Sequence, residues 1–278
     1  MYFGQRQTID WCRAIAQLAA RHQAVTRHAV ELFVLPAAPV IDPVLGIFTG
    51  TPVLVGAQNL YSEDSGAFTG EVSGALLREM GCRYAEIGHA ERRRLFGEDN
   101  AMAAAKVAAC WRNELIPVLC VGEPSQSPPG QAAARCVAEA SEILDRALDP
   151  GAPHASARNA ADDRSRRVIL AYEPHWAIGK AEPAPVEHIR EVTSTLRRWL
   201  AMRTGFADGR VIYGGSAGPG LLTSISDSTD GLFLGRFAHD PAAVEAILDE
   251  ARAIAPLAQR PSTQPRGCYN HGHRTRWL

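Results

Sequence analysis

VILAYEPHWAIG, residues 168–179, passes from an unbroken apolar run to a carboxylate, a proline-stiffened turn and a glycine. An apolar run that short, without polar alternation, suits a strand buried on both faces, and such strands belong to parallel sheets covered by helices. In closed parallel barrels the reacting groups sit at the carboxyl ends of the strands, where Glu173 falls. Trp176 and Ile178 are large apolar groups on the loop that follows. They need a docking surface in at least one state, which describes a lid with a preferred closed position.

Counting this run, apolar stretches lie near residues 30, 53, 84, 117, 167, 210 and 230. Helical periodicity separates them over 73–80, 99–113, 131–147, 186–202, about 218–225 and 241–253. A first helix carries Ile9, Cys12, Ile15, Ala16 and Ala19 on one face, with Thr8 as its expected cap. Regular alternation of this kind demands an α/β fold, either a closed βα barrel or a doubly wound sheet. No GxGxxG follows the early strands, which weighs against a dinucleotide-binding sheet. Seven strands are one short of the eight that a closed barrel needs. Residues 1–254 read as one domain. Within it, 149–166 form an aperiodic surface insertion, and 255–278 hold too little apolar content to fold and are expected to be a disordered tail.

The 278 residues carry 29 basic and 30 acidic side chains scattered along the chain, a net charge of -1. Neither nucleic acid nor an anionic membrane surface is an expected partner, and no apolar run approaches membrane-spanning length. Six cysteines without CxxC spacing and the lack of a leader pattern fit free thiols in a reducing cytoplasm.

Three more constellations carry chemistry. IGHAERR (87–93) places His89 at a strand exit with Glu91 in the next turn. A helix starting there would disfavour imidazolium and hold His89 neutral, as a hydrogen-bond donor. YGGS (213–216) and FLGR (233–236) end the last two strands. Paired glycines, main-chain N–H groups and the Ser216 hydroxyl suit an anion, and loops at those positions of a barrel hold phosphate. Together they point to a phosphorylated small molecule. AQNLYSEDSGAFTGEVS (57–73) is a long polar loop where a short turn is expected. Phe68, Thr69 and Gly70 near its apex either enter a neighbouring molecule or pack on their own loop.

These motifs, with CVGE at 120–123, resemble the triosephosphate isomerase family from about Tyr2 to Arg252. The resemblance implies a (β/α)8 TIM barrel in which Glu173 shuttles a proton between C1 and C2 while a neutral His89 polarises the carbonyl, the pairing established for that enzyme. It implies that Glu91 is the acid following the histidine, and that Gly179, Ser216, Gly214, Gly215 and Gly235 contact phosphate. It further implies that 174–180 form the closing lid, and that 58–70 reach into a partner, Thr69 approaching the partner's site in a homodimer. No cofactor and no metal belong to this chemistry. The favoured reaction is glyceraldehyde 3-phosphate to dihydroxyacetone phosphate, a step of glycolysis and gluconeogenesis.

Several positions depart from the family's pattern. Its first β-strand, with an Asn and a Lys before a Met, is lacking, so an open seam and a loss of electrostatic stabilisation are expected. GKAEPAP (179–185) puts two prolines in the hinge, His175 and Ala90 replace a small apolar residue and a serine, and Arg236 stands where a second glycine is usual. Arg236 brings a guanidinium to the phosphate region. The changes at Arg236 and in the lid resemble a branch acting on tetrulose phosphates, so interconversion of erythrulose phosphate with an aldotetrose phosphate is the alternative reaction. A catalytically impaired sugar-phosphate binder is the alternative of another class.

Overall fold

The structure, a computed structural model, describes residues 2–149, 151, 166–206, 208–254 and 276–277. Its strands are β1 (Val30–Glu31), β2 (Phe33–Val34), β3 (Leu54–Ala57), β4 (Tyr84–Ile87), β5 (Ile116–Val121), β6 (Ile169–Tyr172), β7 (Arg210–Tyr213), β8 (Gly231–Leu232) and β9 (Arg276–Trp277). Among the helices, α1 (Gln5–Arg21) and α2 (Gln23–Thr26) precede β1, α3 (Ile41–Phe48) precedes β3, and α4 (Gly74–Met80) precedes β4. Then α5 (Ala90–Phe96) and α6 (Asn100–Arg112) lead to β5, α7 (Pro129–Leu148) to β6, α8 (Val186–Ala201) to β7 and α9 (Leu221–Ile225) to β8; α10 (Pro241–Ile254) follows.

Every strand pair is parallel, in the order β1-β9-β8-β7-β6-β5-β4-β3-β2. β1 and β2 are two halves of one extended run, β1 pairing with β9 and β2 with β3. The two ends of the strand order therefore meet in one segment, and the ring closes with eight staves. This corrects the expected open seam. Val30 pairs with Arg276 and Glu31 with Trp277, while Gly231 pairs with Trp277 from the other side. The backbone of a segment expected to be disordered thus satisfies two edges that would otherwise present unpaired N–H and C=O groups. Most of 149–166 and the rest of 255–278 lie outside the described residues.

Side chains alternate across each strand, as the pleat requires. Phe33, Tyr84, Val118, Cys120, Ile169 and Ala171 pack inside the barrel. Their neighbours Val55, Ala85, Ile87, Leu119, Leu170 and Val211 pack outward under the helices. In α8 the buried residues His188, Ile189, Val192, Thr193, Leu196 and Leu200 recur at helical spacing. Ser73 and Asp99 cap α4 and α6 by accepting from Leu76 N and Met102 N at 3.2 and 2.8 Å. Thr8 does not cap α1. The helix starts earlier, and the Thr8 hydroxyl donates to Gly4 O at 2.9 Å.

Candidate active site

Glu173 follows directly on β6, held by its N–H donating to Val121 O at 2.9 Å. Its side chain is 9% exposed, and Oε2 lies 3.4 Å from His89 Nε2. That oxygen has no hydrogen-bond partner among the described residues. Burial raises the carboxyl pKa above the ordinary range, opposed by His89 and by a bond from Cys120. A buried carboxylate kept partly short of partners has the chemistry to take a proton. Gly214 sits against it: a Cβ there would come within 2.6 Å of Glu173 Oε1. The first glycine of YGGS thus makes room for the Glu173 carboxylate, a task separate from the phosphate contact that the resemblance implies for it.

His89 is the N-cap of α5, and its Nδ1 accepts from Glu91 N at 3.3 Å. An accepting Nδ1 leaves the proton on Nε2, which faces Glu173. This tautomer is that of the neutral ring expected from the sequence, although the surrounding carboxylates pull the other way. Burial lowers the ring's pKa, but Glu173, Glu86 and Glu91 raise it, and the net shift is upward. Glu91 contributes its backbone N–H and its charge, with its side chain exposed. Glu86, three residues before His89 on β4, escaped notice in the sequence. Its carboxylate lies 3.9 Å from His89 Nε2 and 3.8 Å from Cys120 Sγ. Burial moves its pKa up to about 7. The available signal was a charge at an inward position of an otherwise buried strand.

The proposed phosphate residues converge on the other side of the base. Gly179 has φ +76°, and a Cβ on it would lie 3.8 Å from Arg236 Nη2. Lid end and guanidinium are therefore neighbours. Gly235 precedes the short turn that carries Arg236. Gly215 is left-handed at φ +88°, and its carbonyl accepts from Tyr213 Oη at 2.9 Å. Ser216 Oγ lies 3.0 Å from Ala177 O and 2.8 Å from Lys180 O, so its hydroxyl fastens the YGGS turn to the lid. Tyr213 Oη also accepts from Ala184 N at 3.1 Å, binding the far end of the hinge.

The near end of the lid is held by Glu123, the last residue of CVGE, whose role was not evident from the sequence. Fully buried, it accepts from Trp176 Nε1 at 2.8 Å and Tyr172 Oη at 3.2 Å, and lies 3.1 Å from His188 Nε2. The long loop is tied at its base by Asp64, which takes both Nε and Nη2 of Arg112 at 2.9 Å. Its tip stays exposed, with the Phe68 ring against Tyr61, tilted by 43° at 4.6 Å between centroids.

A parallel barrel with a buried carboxylate against an imidazole, glycine turns and an arginine at its carboxyl-end rim, is a class of site for proton transfer on small anionic molecules. The chain belongs to the triosephosphate isomerase family, whose model matches residues 1–251. It is a sugar-phosphate isomerase. It is 52% identical over 258 residues to an L-erythrulose-1-phosphate isomerase of Pectobacterium atrosepticum, covering 93% of this chain and 95% of that one. It is 36% identical over 223 residues to a triosephosphate isomerase of Moorella thermoacetica, covering 79% and 85%. With a triosephosphate isomerase of Symbiobacterium thermophilum it shares 37% over 232 residues, covering 81% and 86%.

Proposed function

We propose that the chain isomerises a tetrulose phosphate, erythrulose 1-phosphate, with Glu173 as the base. The observation that carries this reading is the 52% identity with an L-erythrulose-1-phosphate isomerase over nearly the whole length of both chains. The triose reaction favoured from the sequence has weaker support, from relatives at 36% and 37%. Arg236 beside Gly179 agrees with a phosphate site that differs from the double glycine usual in the family.

The chemistry follows from the substrate. In a 2-ketose with phosphate on O1, C3 is the neighbour of the carbonyl that carries a free hydroxyl. Glu173 removes the C3 proton, giving a C2–C3 enediolate whose charge the His89 Nε2–H faces. The proton returns to C2, and the hydroxyl proton moves from O3 to O2. The product is the ketone at C3, which renumbers as erythrulose 4-phosphate. No bond to phosphorus breaks. An aldotetrose phosphate, the partner expected from the sequence, cannot arise this way, because O1 is esterified.

Counted from the phosphate, the reacting carbons are the second and third in both tetrulose and triose substrates, so one arrangement of base and imidazole serves either. The test is a parallel assay on erythrulose 1-phosphate and glyceraldehyde 3-phosphate. A much larger kcat/KM on the tetrulose is expected; a larger value on the triose would overturn the assignment. Activity on neither would revive the sugar-phosphate binder.

We further propose a homodimer built on the 58–70 loop, supported by the exposed tip at Phe68 above a fastened base. Sedimentation should give twice the monomer mass, and replacing Phe68 by Asp should halve it.

A further inference from the structure

In erythrulose 1-phosphate the extra carbon, C4, is bonded to C3. It therefore extends from the reacting pair away from the phosphate. The phosphate residues follow β6, β7 and β8, and β4 lies across β5 and β6 from β7. A sugar whose phosphate lies over β6–β8 and whose reacting carbons lie between Glu173 and His89 carries its hydroxymethyl group onward past His89, which follows β4.

Glu86 stands there. It is on β4, with its side chain 12% exposed and its carboxylate 3.9 Å from the same His89 Nε2 that lies 3.4 Å from Glu173. Its further polar neighbours are the weak donor Cys120 Sγ, at 3.8 Å, and the carboxylates of Glu173 and Glu91, which act on it as like charges. No arginine or lysine forms an ion pair with it among the described residues. Buried carboxylates are ordinarily paired or fully hydrogen-bonded, because an unpaired one is costly to desolvate. Glu31, lower in the same barrel, has the Tyr84 hydroxyl as donor and arginines nearby. Glu86 has no comparable arrangement, so packing alone does not account for a carboxylate at this position.

Resting on the tetrulose reading above, we propose that Glu86 determines specificity by accepting a hydrogen bond from the C4 hydroxyl of the substrate. A triose phosphate has no such group and leaves the carboxylate unmet. Sites built around a substrate hydroxyl discriminate strongly against analogues that lack it, because a buried polar group is then left unpaired. The same residue both welcomes the longer sugar and disfavours the shorter one.

The experiment compares erythrulose 1-phosphate, its 4-deoxy analogue and glyceraldehyde 3-phosphate on the full chain and on its Glu86→Gln and Glu86→Leu variants. With the unaltered chain, the 4-deoxy analogue should lose about tenfold to a hundredfold in kcat/KM. In Glu86→Leu the kcat/KM ratio of erythrulose 1-phosphate to its 4-deoxy analogue should collapse to near one, and its ratio to the triose should fall by a similar factor, whatever the absolute change on each substrate. Equal turnover of erythrulose 1-phosphate and its 4-deoxy analogue by the unaltered chain would overturn the proposal without any variant. So would a uniform loss on all three substrates in Glu86→Gln, accompanied by a moved pH profile, since that would make Glu86 a positioning residue for His89. Inactivity of the unaltered chain on erythrulose 1-phosphate would instead overturn the substrate reading and this inference with it.

Discussion

Glu173 depends on its neighbours for room and for its raised pKa, so replacements should separate chemistry from binding. Glu173→Gln keeps the volume and removes the base; kcat should fall by about 10²–10⁴-fold with little change in KM. Steady-state kinetics would check this, and an unchanged kcat would remove Glu173 from the reaction. Two other carboxylates bear on stability. Glu31 and Glu86 both have pKa values moved up to about 7, burial being the main cause. A raised folded-state pKa favours the fold while the group is protonated, so this contribution is fully present below the ordinary carboxyl range and is lost as pH rises through about 7. Glu31→Gln, neutral at every pH, should flatten the decline in Tm between about pH 5 and about pH 8. Thermal melts across that range decide it; an unchanged slope would show that Glu31 contributes nothing. Glu173 and His89 were legible because each ends a readable strand. Glu86 was not, because a charge inside an apolar run reads as an interruption until the inward parity it shares with Tyr84 is seen.

The proposed lid is held at both ends by side chains outside it, Glu123 at the start and Tyr213 and Ser216 at the finish. Glu123→Ala strands the Trp176 indole N–H, the Tyr172 hydroxyl and His188 in a buried place, and should cost about 3–5 kcal/mol of stability as well as lowering kcat. Trp176→Phe removes one donor, and should lower kcat with a stability loss of only about 1 kcal/mol. Chemical denaturation alongside kinetics would tell the two apart, and equal stability losses would sink this account of the hinge. At this scale the alternation of strands and helices was legible from apolar periodicity alone, as for β6 and α8. α5 was not, since none of its seven residues is buried and no apolar stripe marks it. The pull of the carboxylates on His89 was not legible for a related reason: the helix terminus could be read locally, whereas Glu86 and Glu173 meet the ring only after folding.

For the whole molecule the decisive element is β9. Its two residues carry no sequence signal strong enough to be read as a strand; their pairing is dictated by the edges of β1 and β8 on either side. A variant ending at residue 275 should therefore melt lower than the full chain and scatter light on heating, because two strand edges are left open. Identical melting without aggregation would show that the seam is closed by other means. The same pairing shapes how the barrel assembles. β4 to β7 join strands that follow one another along the chain, whereas Val30 meets Arg276 only across most of its length. Contacts so distant in sequence carry the largest loop-closure entropy and form late. Ring closure is then expected to be the slow step of folding and the first to reverse. Amide hydrogens at the seam should exchange with solvent well before those of β5 and β6.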